Sequence, residues 1–330
     1  GKRFHEWLQR RFPDKSLPPF AVGVGVHTGE VMVNLVTSSE WPEAMTNLTG
    51  LLTKQFPAIT TIVNNVTSRR SMVAFGESER VYHGPGYIQE RLGEFTFHIS
   101  ANSFFQTNTL QAERLYDTVK EFAAVKEGEV LYDLYSGTGT IALYLSRGAE
   151  RVIGIESVES SIRDAERNAE RNRVSNCYFL AGDLKDRLTT ESAWLTEHPK
   201  PHVIVTDPPR SGMHEKVVEQ IVRIRPERIV YVSCNPSTQA RDAKLLAAGG
   251  YELRAVRPVD MFPHTAHVEN GKITLKPGDP FILDSACQQG NQERAGLDYN
   301  TFPLMNGHLV PPDMPVRDHP CQSLELLSHR

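Results

Sequence analysis

Cysteine is scarce in this chain of 330 residues: four thiols, Cys177, Cys234, Cys287 and Cys321, stand without CxxC or any other metal-ligand spacing. That scatter argues against a zinc or iron–sulfur site and against a disulfide framework, so no metal is expected, and it fits a reducing cytoplasm. Long apolar runs are missing too. No segment approaches the roughly 18 residues a membrane-spanning helix needs, and the start at Gly1–Trp7 has no signal-peptide core, so no membrane partner is expected. Charge of either sign is nearly balanced, 36 basic against 40 acidic side chains for a net −4. A global positive field is thereby excluded, and any polyanion must be met by a local basic patch. Internal repeats are absent. The chain opens on Gly rather than Met and reads as the middle of a helix, so a fragment of a longer protein is expected.

What is present suits a soluble protein with a full core: 39% of residues are hydrophobic and 23% charged, enough for two domains. From Phe20 to Val36 apolar and polar residues alternate around Thr28-Gly29, which predicts a hairpin. A short helix over Pro42–Gln55 and a strand over Ile59–Asn65 follow. Gly76–Gly86 reads as turn, and the strand pattern resumes over 87–93 and 94–100. Residues 1–97 are therefore expected to form a small α+β domain. Beyond Asn108 helix and strand alternate, the signature of a βαβ sheet. Strands are predicted at 129–135, 151–156, 177–180, 202–206 and 228–233, with helices between them. The fold class expected is α/β, a doubly wound, mostly parallel sheet over 98–276, with ligands at the carboxyl ends of its strands. From 277 to 330, seven prolines and Gly278 break any long element, and an irregular or disordered tail is expected.

The segment Asp133-Leu-Tyr-Ser-Gly-Thr-Gly-Thr140 follows a buried strand and opens a helix. Gly137 and Gly139 there let backbone amides approach a ligand closely. Glu156 ends the next strand about 20 residues later, where an acidic residue takes a ribose diol; capping of the following helix is its plainer alternative. No third glycine follows, since residues 142 and 143 are Ala and Leu. With Asp133 ahead of the loop, this favours S-adenosyl-L-methionine over a dinucleotide. Asp183, after the third strand, is placed for the adenine amino group. Asp207-Pro-Pro-Arg210 makes a stiff turn that exposes Asp207 at the sheet rim.

Tyr231-Val-Ser-Cys-Asn-Pro-Ser237 puts Cys234 between a β-branched run and an Asn-Pro turn. Alone, Cys234 would read as buried filler. About 30 residues on, Phe262-Pro-His-Thr-Ala-His-Val-Glu269 offers a carboxylate and two imidazoles, which suggests a Cys/Glu pair.

Together Ser100–Asn108 (SANSFFQTN), Asp133–Thr140, Asp207–Arg210 (DPPR), Ser233–Pro236 (SCNP) and His264–Glu269 (HTAHVE) resemble the class I RNA uracil-5-methyltransferases, over roughly residues 75–270. The wording of Gly137-Thr-Gly-Thr-Ile141 and Asp260–Thr265 resembles the bacterial 23S ribosomal RNA branch. The resemblance implies S-adenosylmethionine as methyl donor and carbon-5 of a uridine in rRNA or tRNA as acceptor, in a loop or flipped out of its stack. It implies Gln106, Tyr135, Thr140, Glu156, Asp183 and Asp207 around cofactor and base, Cys234 as nucleophile and Glu269 as general base. Phe104 and Phe105 are candidates to stack on RNA bases, with core packing the alternative for at least one of them. A monomer is expected. The family's usual N-terminal barrel and its frequent four-cysteine cluster have no counterpart in these residues, and the strand expected after Glu269 is weak. The alternative function is an RNA-binding or RNA-folding module that keeps the fold without turnover. Arg210, where amino-methyltransferases favour an aromatic residue, counts against that chemistry, and the missing third glycine against a nicotinamide dehydrogenase.

Overall fold

The computed structural model describes residue 10, residues 20–67, 78–189 and 198–261, and the strand backbones of 269–273, 304–305 and 308–309. The chain divides into two compact units, 1–109 and 110–330. In the first, the alternating stretch folds as a hairpin, β1 (Phe20–Val24) antiparallel to β2 (Val31–Thr37) with Val22 opposite Val33. Helix α1 (Pro42–Gln55) starts on a proline, whose missing N–H is harmless in a first turn, and buries Met45, Thr49 and Leu52 along one face. It leads to β3 (Ile59–Val66), parallel to β2. Its Leu52 packs with Leu35 and Ile62 in the core between helix and sheet. Strand β4 (Ser78–His83) completes the order β1-β2-β3-β4. It falls in a stretch read as turn because almost all of it is exposed. An exposed strand has no apolar alternation to read, and it forms because β3 offers an unpaired edge. β5 (Tyr87–Leu92) and β6 (Phe95–Ser100) pair as a separate hairpin.

The second unit is built on seven strands in the order β12-β13-β11-β10-β7-β8-β9. Helix α2 (Thr109–Ala123) precedes β7 (Val130–Leu134), and α3 (Thr140–Leu145) leads to β8 (Arg151–Glu156). Helix α4 (Glu159–Arg171), strand β9 (Cys177–Ala181) and the one-turn helix α5 (Leu184–Arg187) follow. Then come β10 (Val203–Thr206), α6 (Glu215–Ile224), β11 (Arg228–Tyr231) and α7 (Pro236–Ala248). Strands β7 to β11 are mutually parallel. Every residue of β7, β10 and β11 is buried, as expected of central strands covered on both faces. Helix α6 supplies one cover: Val217, Val218, Ile221 and Ile224 pack against Ile204, Ile229 and Tyr231.

The last two strands complete the sheet differently. β13 (Glu269–Ile273) inserts between β11 and β12 (Ala255–Val259) and is antiparallel to both. β12 was not legible in the sequence, since Pro258 interrupts it; at a sheet edge a residue without an N–H is tolerated. Because β7 has β8 on one side and β10 on the other, the chain reverses its direction of travel across the sheet between them. A crevice opens there at the carboxyl ends. Of the tail, only the short ladder Leu304–Met305 with His308–Leu309 is described. The expected irregularity of 277–330, and the side chains of His264, His267 and Glu269, lie outside the described residues.

Candidate active site

The loops after β7, β8, β9 and β10 surround a pocket of about 500 Å³ lined by Tyr135, Glu156, Asp183, Lys185, Pro209 and His214 among others. Asp133 is fully buried on β7, two residues before Tyr135 of the pocket wall. One carboxylate oxygen, Oδ2, accepts the Ala142 amide at 2.9 Å; Oδ1 has no protein partner. Burial, then the nearby Asp207 and Glu156 carboxylates, push the Asp133 carboxyl well above its ordinary pKa, against the opposing pull of the Ala142 N–H. Tyr135 turns the chain out of the strand at φ 62°, a left-handed conformation that costs a non-glycine residue about 1–2 kcal/mol. Burial first, then Asp242, Asp183 and Glu156, raise its hydroxyl to about 12, so it remains a neutral donor.

The two glycines of the loop do different things. A β-carbon on Gly139 (φ +78°) would lie 2.8 Å from Phe179 Cζ and 3.0 Å from Ala165 Cβ, whereas one on Gly137 (φ +52°) would meet nothing within 4 Å. Gly139 therefore serves packing, and Gly137 faces open space. Their amides are engaged within the protein: Gly137 N–H donates to Glu156 Oε2 at 3.2 Å, and Gly139 N–H to Ser136 O at 2.8 Å.

Glu156 also accepts from Val158 N at 2.9 Å and Ser157 Oγ at 3.0 Å through Oε1. Loop tether, cap and pocket wall are combined in this one carboxylate. Asp183 caps α5 through Lys185 N at 2.9 Å and pairs with Lys185 Nζ at 3.0 Å. The Lys185 amide and ammonium hold its carboxyl below the usual range, so it is charged at neutral pH. Glu156 and Asp183 on the pocket wall suit a cationic ligand carrying a diol and an amino group, as S-adenosylmethionine does. Thr140, expected beside the cofactor, opens α3 with Oγ1 3.2 Å from the Tyr116 hydroxyl and is not part of the pocket lining.

Asp207 and Cys234 sit after the adjacent parallel strands β10 and β11, and both are half-buried. Their loops are latched together at one carbonyl: Arg210 O accepts Asn235 Nδ2 at 2.9 Å and Thr238 Oγ1 at 3.2 Å. Asn235 in turn caps α7, its Oδ1 accepting Ser237 N at 3.1 Å. Cys234 thus precedes the N-terminus of a 13-residue helix, a position that favours a thiolate. Val230 lies opposite Ile273 in the antiparallel pair of β11 and β13. Because β13 runs antiparallel to β11, its first residue, Glu269, lies toward the carboxyl end of β11, the end from which the chain continues to Cys234.

Gln106 belongs to the first unit and is 5% exposed. The two phenylalanines before it part company: Phe104 is 66% exposed, while the Phe105 ring lies 5.9 Å from that of Phe97. Sequence reasoning missed Lys185, His214, Arg241 and Asp242. The first three line the pocket, and the fourth is fully buried beside it. Of these only His214 left a readable signal, as the residue that opens and caps the helix before Glu215. Among the described residues, no cluster of three or more His, Cys, Asp or Glu could hold a metal, and no helix is long and apolar enough to cross a membrane.

Residues 28–276 match the family model described as tRNA (uracil-5-)-methyltransferase. An uncharacterized RNA methyltransferase of Chlorobaculum tepidum is 51% identical over 241 residues, covering 73% of this chain and 50% of its own length. One of Porphyromonas gingivalis is 46% identical over 244 residues, 74% of this chain and 52% of its own. The chain spans about half the length of these curated relatives. The crystal structure of Pyrococcus abyssi tRNA (uracil-54, C5)-methyltransferase in complex with S-adenosyl-L-homocysteine superposes with a TM-score of 0.65 at 32% identity. It covers 83% of this chain and 66% of that one.

Proposed function

The chain belongs to the tRNA (uracil-5-)-methyltransferase family, and we propose from that premise that it transfers a methyl group from S-adenosylmethionine to carbon-5 of a uridine in RNA. The observation that supports this reading best is the setting of Cys234, half-buried just before the N-terminus of α7 and on a loop latched to that of Asp207 at the Arg210 carbonyl.

Carbon-5 of uracil is a weak nucleophile, so the chemistry begins at carbon-6. The Cys234 thiolate adds there, the carbon-5–carbon-6 π electrons move toward the carbonyl oxygen at carbon-4, and carbon-5 becomes nucleophilic. Tyr135, Glu156 and Asp183 would hold S-adenosylmethionine, which supplies an electrophilic methyl group on a cationic sulfonium. Glu269 then takes the proton from carbon-5, the electron pair restores the double bond, and the Cys234 sulfur leaves carbon-6. The helix α7 N-terminus stabilises the thiolate at both ends of the cycle.

Two substitutions test this. Cys234→Ala should abolish methyl transfer to a tRNA T-arm or ribosomal RNA fragment while leaving S-adenosylhomocysteine binding intact; retained turnover would remove the nucleophile. Glu269→Gln should accumulate a protein–RNA adduct that survives denaturing electrophoresis, and its absence despite binding of both ligands would remove the base. A wild-type chain that binds RNA and never methylates it would establish the binding-module alternative.

A further inference from the structure

One buried carboxylate joins the pocket wall to the helix behind the nucleophile. Asp242, on α7, is fully buried. Its Oδ2 accepts both the Tyr231 hydroxyl and the Met213 amide at 2.7 Å. Its Oδ1 accepts Arg241 Nε at 2.8 Å. Arg241 reaches past it to the carbonyls of Ser211 at 3.0 Å and Met213 at 3.1 Å. Between those two lies Gly212 at φ +78°, where a β-carbon would come within 2.6 Å of Arg241 Nη2 and 2.7 Å of Asp242 Oδ2. The fit excludes any side chain at 212. With the Arg210 latch to Asn235 and Thr238, the whole segment 210–213 is gripped by the first half of α7.

The two ends of this grip matter. Ser211, Gly212 and Met213 line the pocket, as does Arg241. Tyr231, whose hydroxyl Asp242 holds, ends β11 three residues before Cys234. A buried carboxylate is expensive unless its lone pairs are filled, and here every donor that fills them comes from the pocket wall, the nucleophile strand or the helix between. We propose that Asp242, with Arg241, is a positioning residue that sets the cofactor-pocket wall and Cys234 in one fixed relation. The role deepens the methyl-transfer reading and rests on it for the reaction, although the effect on the thiol does not depend on it.

Loosening the grip should free the half-buried thiol while misplacing it. These effects have opposite signs: Cys234 becomes easier to alkylate and methyl transfer slows. A lost thiolate would instead lower both. Arg241 is 48% exposed at its side chain, so Arg241→Gln should fold, and Asp242→Asn is the stronger perturbation. The experiment uses the full chain and reads alkylation of Cys234 by iodoacetamide through peptide mass spectrometry, S-adenosylhomocysteine binding by calorimetry, and kcat at saturating cofactor and RNA. Lys244→Ala, an exposed change on the same helix, is the control. Both variants should alkylate at Cys234 about fivefold faster, bind S-adenosylhomocysteine about tenfold more weakly and lose roughly 10- to 100-fold in kcat, the scale expected of a reacting group displaced by about 1 Å. Unchanged or slower alkylation in Arg241→Gln overturns the proposal, whatever the folding of Asp242→Asn. If wild type binds no S-adenosylhomocysteine, the methyl-transfer reading fails separately, and the alkylation rates still decide the positioning role.

Discussion

Alanine at each glycine of the loop after β7 should separate stability from binding within a single motif. At Gly139 the new β-carbon meets Phe179 at 2.8 Å and Ala165 at 3.0 Å, with φ at +78°. The left-handed backbone costs alanine about 1–2 kcal/mol, and relieving contacts with a packed ring costs about 1–3 kcal/mol more. A total near 2–5 kcal/mol should lower Tm by roughly 4–20 °C in a unit of this size. At Gly137 only the backbone cost applies, because nothing lies within 4 Å of the added carbon. Gly137→Ala should therefore lower Tm by only about 2–8 °C. Its methyl group enters open space on the loop that leads out from Tyr135 of the pocket wall, so S-adenosylhomocysteine affinity should fall about tenfold or more, about 1.4 kcal/mol. Circular dichroism melts of the unliganded variants and calorimetric titration read the two quantities. Wild-type affinity in Gly137→Ala, or wild-type Tm in Gly139→Ala, would refute the division of labour.

Asp133→Asn should flatten the pH dependence of stability. Its carboxyl titrates well above the ordinary value in the fold, so the native state binds more protons than the unfolded one. Wild type then loses stability as pH rises from about 4 to the folded pKa, by up to ~1.4 kcal/mol per pH unit. Asparagine can give its oxygen to the Ala142 amide and is neutral throughout, so urea melts between pH 5 and 9 should show the difference between variants growing with pH; a constant difference would show that Asp133 is ionised in the fold. Phe104→Ala should leave Tm within about 1–2 °C, since the ring is mostly exposed, and weaken RNA binding by about 5- to 150-fold if it stacks on a base. A filter-binding titration reads the latter, and unchanged affinity would assign the ring no part in RNA recognition.

Much of this architecture was legible because its signals are local. Val130–Leu134, Val203–Thr206 and Arg228–Tyr231 are short apolar runs that only a doubly covered sheet can bury, and Val217, Val218, Ile221 and Ile224 mark one face of a helix. What escaped notice depends on partners distant in the chain. Ser78–His83 is nearly all exposed and is a strand only because β3 stands beside it. Ala255–Val259 includes a proline and is a strand only as the edge against β13.

The candidate site divides the same way. From the sequence alone came a cofactor loop, two acidic residues at strand ends, a thiol before a helix and a carboxylate downstream, since each lies in a recognisable run of neighbours. Tertiary structure decided what those neighbours do: Gly139 makes room for Phe179 while Gly137 faces open space, and the loop amides turn inward to Glu156 and Ser136. It also drew Asp242, unremarkable in a polar helix, into a dry junction between Tyr231, Met213 and Arg241. Hydrogen bonds of that kind join residues 11 and 29 positions apart. Periodicity and local propensity hold no record of such pairings; the packing of sheet against helix creates them.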